Sequence, residues 1–174
     1  MISRGALAGL YQRLRFTGQP NGYVIWPRGS MKSEAIANVL GGRKVLGKTV
    51  RDPDDLADLI RKGLPASSVT TLAVKLSLGN AALLKKLGIS QRTMTRRLSE
   101  RSRLTPAESD RAVRFARVYA HVVAMIGDEE RAVQWLLTSN RALGGERPLD
   151  RLDTDVGARE VEDVAGRVAY GVYS

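Results

Sequence analysis

The residues best suited to chemistry in this chain lie in one run, Ser90-Gln91-Arg92-Thr93-Met94-Thr95-Arg96-Arg97. Their chemistry is hydrogen bonding rather than bond making. A glutamine amide or an arginine fork matches the donor and acceptor pattern on the edge of a base pair, and an arginine on guanine contributes about 1–3 kcal/mol of discrimination. Such side chains must project from the N-terminal half of a helix that enters a major groove. Met94 and Leu98 are the apolar positions and are expected to face inward. That leaves Gln91, Arg92, Thr93, Thr95 and Arg96 facing out behind Ser90, which opens the helix. Lys85, Lys86, Arg97, Arg101 and Arg103 flank the row and suit phosphates, which fix register without reading sequence.

The elements that would hold this row are equally plain. Asn80 is expected to cap a short helix ending at Leu87, and Gly88 supplies the left-handed turn that crossed helices need. Ile89 then fills the angle between the two helices. This is helix-turn-helix grammar, and its bland alternative is an αα-hairpin with solvated arginines.

Bond-making chemistry finds little support. The chain has one histidine and no cysteine, which removes thiolate nucleophiles, disulfides and cysteine-ligated metals. His121 lies among Tyr119, Val122 and Val123, a setting for a packed histidine rather than a base. Asp52, Asp54 and Asp55 are better explained by helix capping than by a metal. Gly41-Gly42-Arg43-Lys44 and Gly144-Gly145 lack the spacing of a phosphate-binding loop. The expectation is a protein that is not an enzyme and holds no metal or cofactor.

Charge separates the chain into parts. The net charge of +10 divides as +4 over residues 1–30, +10 over 31–126 and −4 over 127–174. A basic middle of this kind attracts polyanions such as nucleic acid, whereas the acidic end suits a different partner. A run of turn formers from Gly18 to Gly29 predicts that residues 1–30 are poorly ordered or an upstream extension before Met31. The first thirty residues offer neither a signal peptide nor a membrane span, so a soluble, cytoplasmic protein is expected.

From Met31 the signals are those of short helices, and no stretch alternates with period two. Asp52-Pro53-Asp54-Asp55 opens one helix with a cap, a proline at N1 and two carboxylates on the positive end of the dipole. Ser67 or Ser68 can cap the next, with Val69, Leu72, Ala73 and Leu76 on one face and Gly79 at its end. Thr105-Pro106-Ala107-Glu108 is a capping box opening the longest run, Pro106 to Ile126. Asp128 caps a helix carrying Val133, Leu136 and Leu137, and Thr154 caps the last. The expected fold is all-α: a helix-turn-helix DNA-binding domain over 31–126, then a small helical domain over 127–174.

Two resemblances sharpen this reading. Gly88-Ile89-Ser90, Arg92-Thr93 and Arg96-Arg97-Leu98 are similar to the helix-turn-helix of Fis-like and Xre-like regulators. Gly127 to Leu137, Asn140 to Gly145, Arg147 to Asp150 and Tyr170-Gly171-Val172-Tyr173 resemble, in order and spacing, the toxin-binding domain of the Xre/ParS family of bacterial type II antitoxins. The likeness runs over roughly residues 55–174. It implies an antitoxin that binds a RES-domain toxin, an enzyme that consumes NAD or uses it for ADP-ribosylation, and blocks its active site with its own C-terminal end. It also implies repression of its own operon through operator DNA.

The toxin-binding residues that follow are Trp135, Asn140, Arg141, Leu143, Gly144, Gly145, Pro148 and Leu149, with the tail Tyr170, Gly171, Val172, Tyr173 and Ser174. On the residues alone, Trp135 is first a core aromatic beside Leu136 and Leu137. The two glycines give a tight turn whose backbone groups are expected to stay free for a partner. Tyrosines in a tail too short to fold back suit an interface. Two-fold operators predict antitoxin pairs within a larger complex. Without the resemblance a second class stays open, a stand-alone helix-turn-helix transcription regulator whose acidic end dimerises or senses a ligand.

Overall fold

A single 21-residue helix, Pro106–Ile126, is the element on which the others assemble. The computed structural model describes residues 30–169, with side chains from 33 to 167. The expectations for residues 1–29 and for Tyr170, Gly171, Val172, Tyr173 and Ser174 lie outside the described residues. Within them the chain is all-α, with nine α-helices, two 3₁₀ helices and no strand beyond an isolated bridge between Pro65 and Arg103.

The helices are α1 (Ser30–Val39), α2 (Gly42–Leu46), α3 (Pro53–Lys62), α4 (Ser67–Lys75), α5 (Asn80–Leu87), α6 (Gln91–Ser99), α7 (Pro106–Ile126) and α8 (Glu129–Leu137). The 3₁₀ helices Arg141–Leu143 and Pro148–Asp153 follow, and α9 (Asp155–Ala169) is last.

Helix α7 is about 30 Å long at 1.5 Å per residue. It buries Ala112, Phe115, Ala116, Tyr119 and Val122, the i, i+3, i+4, i+7 row, together with Val113 and Val118. So broad an apolar stripe needs partners on several sides. α7 packs on α1, α3, α4 and α5 in the front part of the chain and on α8, α9 and the second 3₁₀ helix behind. One continuous core results, running from Ile36 through Leu72, Leu83 and Phe115 to Leu136, Leu149 and Ala165.

Most helix starts follow the capping chemistry. Asp52 accepts from Asp55 N–H at 2.8 Å with Pro53 at N1. Thr105 and Glu108 form the reciprocal capping box. Asp128 accepts from Arg131 N–H at 2.8 Å, and Thr154 from Gly157 N–H at 3.1 Å.

Three local expectations differ. Ala66, not Ser67 or Ser68, stands at the cap position of α4, because Ser68 Oγ is turned back to donate to the Pro65 carbonyl at 2.7 Å. The same helix ends at Lys75 rather than near Gly79: Ser77 takes a left-handed φ of 51°, and Leu78 N–H closes on the Ala73 carbonyl. Gly79 occupies the cap position of α5, and Asn80 is already helical.

Candidate nucleic-acid interface and partner module

The junction of α5 and α6 has the geometry of a helix-turn-helix. α5 buries Leu83, Leu84 and Leu87. Gly88 follows at φ 70°, and Ile89 N–H reaches back to the Leu84 carbonyl at 2.9 Å while the Ile89 side chain fills the angle. A Cβ at position 88 would meet the guanidinium of Arg111 on α7 at 3.1 Å. The left-handed dihedral is what favours glycine there, since the guanidinium is the mobile end of a side chain and can give way.

Ser90 opens α6. Its Oγ accepts from Thr93 N–H at 3.1 Å, and the two hydroxyls lie 2.8 Å apart, so Ser90 and Thr93 are engaged in the cap. Gln91, Arg92, Thr95 and Arg96 are exposed, at i, i+1, i+4 and i+5 on one side of the helix, and Lys85 is exposed on α5. Met94 faces in and is 5% exposed. Leu98 does not: it is 42% exposed and forms, with Val69, Leu84 and Met94, part of the lining of a shallow groove of about 120 Å³. Those neighbours cover one flank of Leu98 and leave the other to solvent.

The flanking cations are placed unequally. Arg97 donates to Glu108 at 2.7 Å, with side chains only 13% and 12% exposed. Lys86 is paired with Asp150, and Arg103 donates to the Gly63 carbonyl at 2.7 Å. Three of the five cations suited to phosphates thus have acceptors inside the fold, whereas Lys85 and Arg101 are exposed. Glu108 is doubly held: burial alone would raise its pKa, but hydrogen bonds from Thr105 and Arg97 outweigh it and keep the carboxyl below its ordinary range.

The C-terminal module divides its candidate contacts between core and surface. Leu143, Pro148 and Leu149 are buried and dock the 3₁₀ segments against α8 and α9. Trp135 is half-buried against the same core. Asn140 accepts from Ala142 N–H at 2.9 Å and so caps the first 3₁₀ helix. The glycine amides are not free as expected: Gly144 N–H closes on the Arg141 carbonyl and Gly145 N–H on that of Asn140. What the loop offers outward is Arg141, Ala142, Gly144, Gly145, Glu146 and Arg147.

Much of the acidic character of this end is spent inside the fold. Asp155 pairs with Arg117 and Arg159, Glu162 with Arg117, and Arg151 with both Glu146 and Glu160, at 2.8–3.2 Å. Glu129 pairs with Lys75 of α4 at 3.0 Å. Burial pushes the Tyr119 hydroxyl far up, and the nearby Glu129 adds to the effect. His121 Nε2 lies 3.1 Å from the Glu162 carbonyl, a contact that joins α7 to α9. Among the described residues no helix is long and apolar enough to cross a membrane.

A capped helix with an exposed row of Gln, Arg and Thr behind a left-handed glycine turn defines the class, a helix-turn-helix protein with an appended helical module. Comparison with known proteins gives the family. Residues 55–117 match the antitoxin Xre-like helix-turn-helix domain, and residues 121–171 match the antitoxin Xre/MbcA/ParS C-terminal toxin-binding domain. The chain is 37% identical over 120 residues to Antitoxin Xre of Yersinia enterocolitica, covering 68% of this chain and 81% of that protein. It is 35% identical over 117 residues to Antitoxin Xre of Photorhabdus laumondii, covering 67% and 79%. It is also 23% identical over 153 residues to a protein of Sphingobium named Prs ADP-ribosylating antitoxin, covering 77% and 96%. The chain belongs to the Xre family of antitoxins of toxin–antitoxin systems.

Proposed function

We propose that this antitoxin neutralises a RES-domain, NAD-consuming toxin through its C-terminal module and represses its own operon by placing α6 in the major groove of operator DNA. The observation that carries the reading is the exposed row Gln91, Arg92, Thr95 and Arg96, presented by a Ser90-capped helix on the same chain as a toxin-binding module. Lys85 and Arg101 supply phosphate contacts beside it. The protein works as pairs, because a two-fold operator presents two half-sites.

On the toxin side, Trp135, Arg141, Gly144 and Gly145 meet the partner, while Leu143, Pro148 and Leu149 set the shape of that surface from beneath. The tail Tyr170 to Ser174 enters the toxin's nucleotide site, where Tyr173 faces groups that otherwise hold NAD phosphates. The chain acts by occlusion, so the NAD chemistry is the toxin's and the setting is the cytoplasm, where NAD is used.

Co-expression with the RES toxin tests both halves. The full chain should restore growth and copurify with the toxin, and deletion of Gly171 to Ser174 should weaken protection. Arg92→Ala with Arg96→Ala should abolish operator preference and leave protection intact. Failure of the full chain to copurify would reject the toxin and leave a regulator of transcription. Full protection by the truncated chain would reject the tail's role alone.

A further inference from the structure

Helix α6 is lightly anchored for an element that must hold several side chains in register with base edges. Of its nine residues only Met94 is buried. One buried side chain and the half-covered Leu98 fix the helix's distance from its support but leave rotation about that contact soft. The next turn of the same face supplies a second anchor, Arg97, three residues on. Its guanidinium donates to Glu108 Oε2 at 2.7 Å, and that same oxygen accepts from Thr105 N–H at 2.7 Å. The pair is largely screened from water. Such a bond fixes orientation more than it adds stability, because two charges must be desolvated to make it.

The geometry points to Glu108 as a positioning residue for DNA reading: through Arg97 it sets the rotation of α6 that presents Gln91, Arg92, Thr95 and Arg96 together. Arg97 is then a strut to α7 rather than a phosphate clamp. The Arg111 guanidinium of α7 also lies close to the Gly88 turn, while donating to the Ala107 carbonyl of its own helix. The inference rests on the DNA-reading role proposed above, and its test separates the two.

The two roles for Arg97 predict opposite signs. Glu108→Gln keeps an acceptor for Thr105 N–H but removes the charge that holds Arg97. If Arg97 is the strut, E108Q lowers the preference for operator over random DNA by roughly tenfold or more, the size of one lost base contact. Affinity for random DNA and its salt dependence then stay unchanged. If Arg97 is instead a phosphate cation restrained by Glu108, E108Q frees it. All DNA then binds more tightly, and the slope of log K against log salt steepens by about 0.9; that result, or an unchanged preference, overturns the inference.

Three further variants guard the interpretation. Asp128→Ala removes the cap of α8, which lies away from the ion pair, so it should lower the melting temperature yet keep operator preference; a loss of preference there would mean that preference merely follows stability. The exchange Arg97→Glu with Glu108→Arg should restore preference, and should E108Q fold poorly, Arg97→Met removes the pair from the other side, lowering preference alone if Arg97 is a strut and weakening binding to all DNA if it is a phosphate cation. If Arg92→Ala with Arg96→Ala leaves operator preference untouched, the DNA-reading role itself is wrong, whatever Glu108 does.

Discussion

Lys86 on α5 is ion-paired to Asp150 in the second 3₁₀ helix, across 64 residues of sequence, so the helix-turn-helix and the toxin-binding module are bound to each other directly as well as through α7. Asp150 also takes Arg147 at 2.7 Å. Burial alone would raise the Asp150 pKa, but the hydrogen bonds from Arg147 and Lys86 outweigh it and hold the carboxyl below its ordinary value of 3.8. A carboxyl depressed by folding contributes its stability above the unfolded value and loses it as pH falls through the folded one. Asp150→Asn should therefore cost about 0.5–1 kcal/mol at neutral pH, the size of a part-exposed pair, and the difference from the parent protein should shrink once pH falls below 3.8 and vanish only below the depressed folded value. Urea midpoints followed from neutral pH into acid check this; a difference that did not shrink as pH fell would mean that the ion pair is not its source.

Two glycines of α9 should respond to alanine with opposite signs. Gly157 lies in the first turn, where an added Cβ would stand 2.2 Å from the Arg151 carbonyl oxygen, backbone that cannot turn aside. Gly157→Ala should cost about 1–3 kcal/mol as overpacking pushes α9 off the 3₁₀ segment. Gly166 has nothing within 4 Å of such a Cβ, so Gly166→Ala should stabilise the protein by about 0.8–1 kcal/mol through helix propensity alone. Thermal melts of the two variants would settle the signs.

The same distinction between local and distant causes explains what could be read from the residues. Asp52, Ser90, Thr105 with Glu108, Asp128 and Thr154 were legible as caps because each acts on an amide two or three residues away. The fates of the cations were not. Arg97 finds its acceptor 11 residues on, Arg103 finds its acceptor 40 away and Lys86 finds its own 64 away, and nothing in spacing or composition announces such partners. Leu98 followed the apolar period yet lies on a groove rim, because its helix buries only one side chain. Glu108 was visible as half of a capping box, while its hold on Arg97 was not. The loop at Asn140 was legible as a turn, but the burial of Leu143 and Leu149 depends on docking against α8 and α9.

That burial separates two kinds of change in the toxin-binding module. Leu149 is 1% exposed, so Leu149→Ala should destabilise the protein by about 2–5 kcal/mol and weaken toxin binding only through the folded fraction. Arg141 is exposed and Arg141→Glu should leave the urea midpoint within about 0.5 kcal/mol, as surface changes do. Under the proposed function its effect falls on the dissociation rate of the toxin complex instead. Chemical denaturation beside surface plasmon resonance distinguishes the two, and an Arg141 variant that bound toxin like the parent would move the contact away from this loop.

The long helix makes a stricter demand. α7 packs on front helices and rear helices alike, and the core is continuous through Phe115, so the two halves share one apolar interior. The protein should unfold in one transition, seen identically by near-ultraviolet and far-ultraviolet circular dichroism. Phe115→Ala should lower its stability by about 3–5 kcal/mol. Near the resulting midpoint, operator binding and toxin binding should fall together, each in proportion to the folded fraction. A variant that lost one activity while keeping the other, or a melt resolving two steps, would show that the two modules fold independently and that α7 belongs to only one of them.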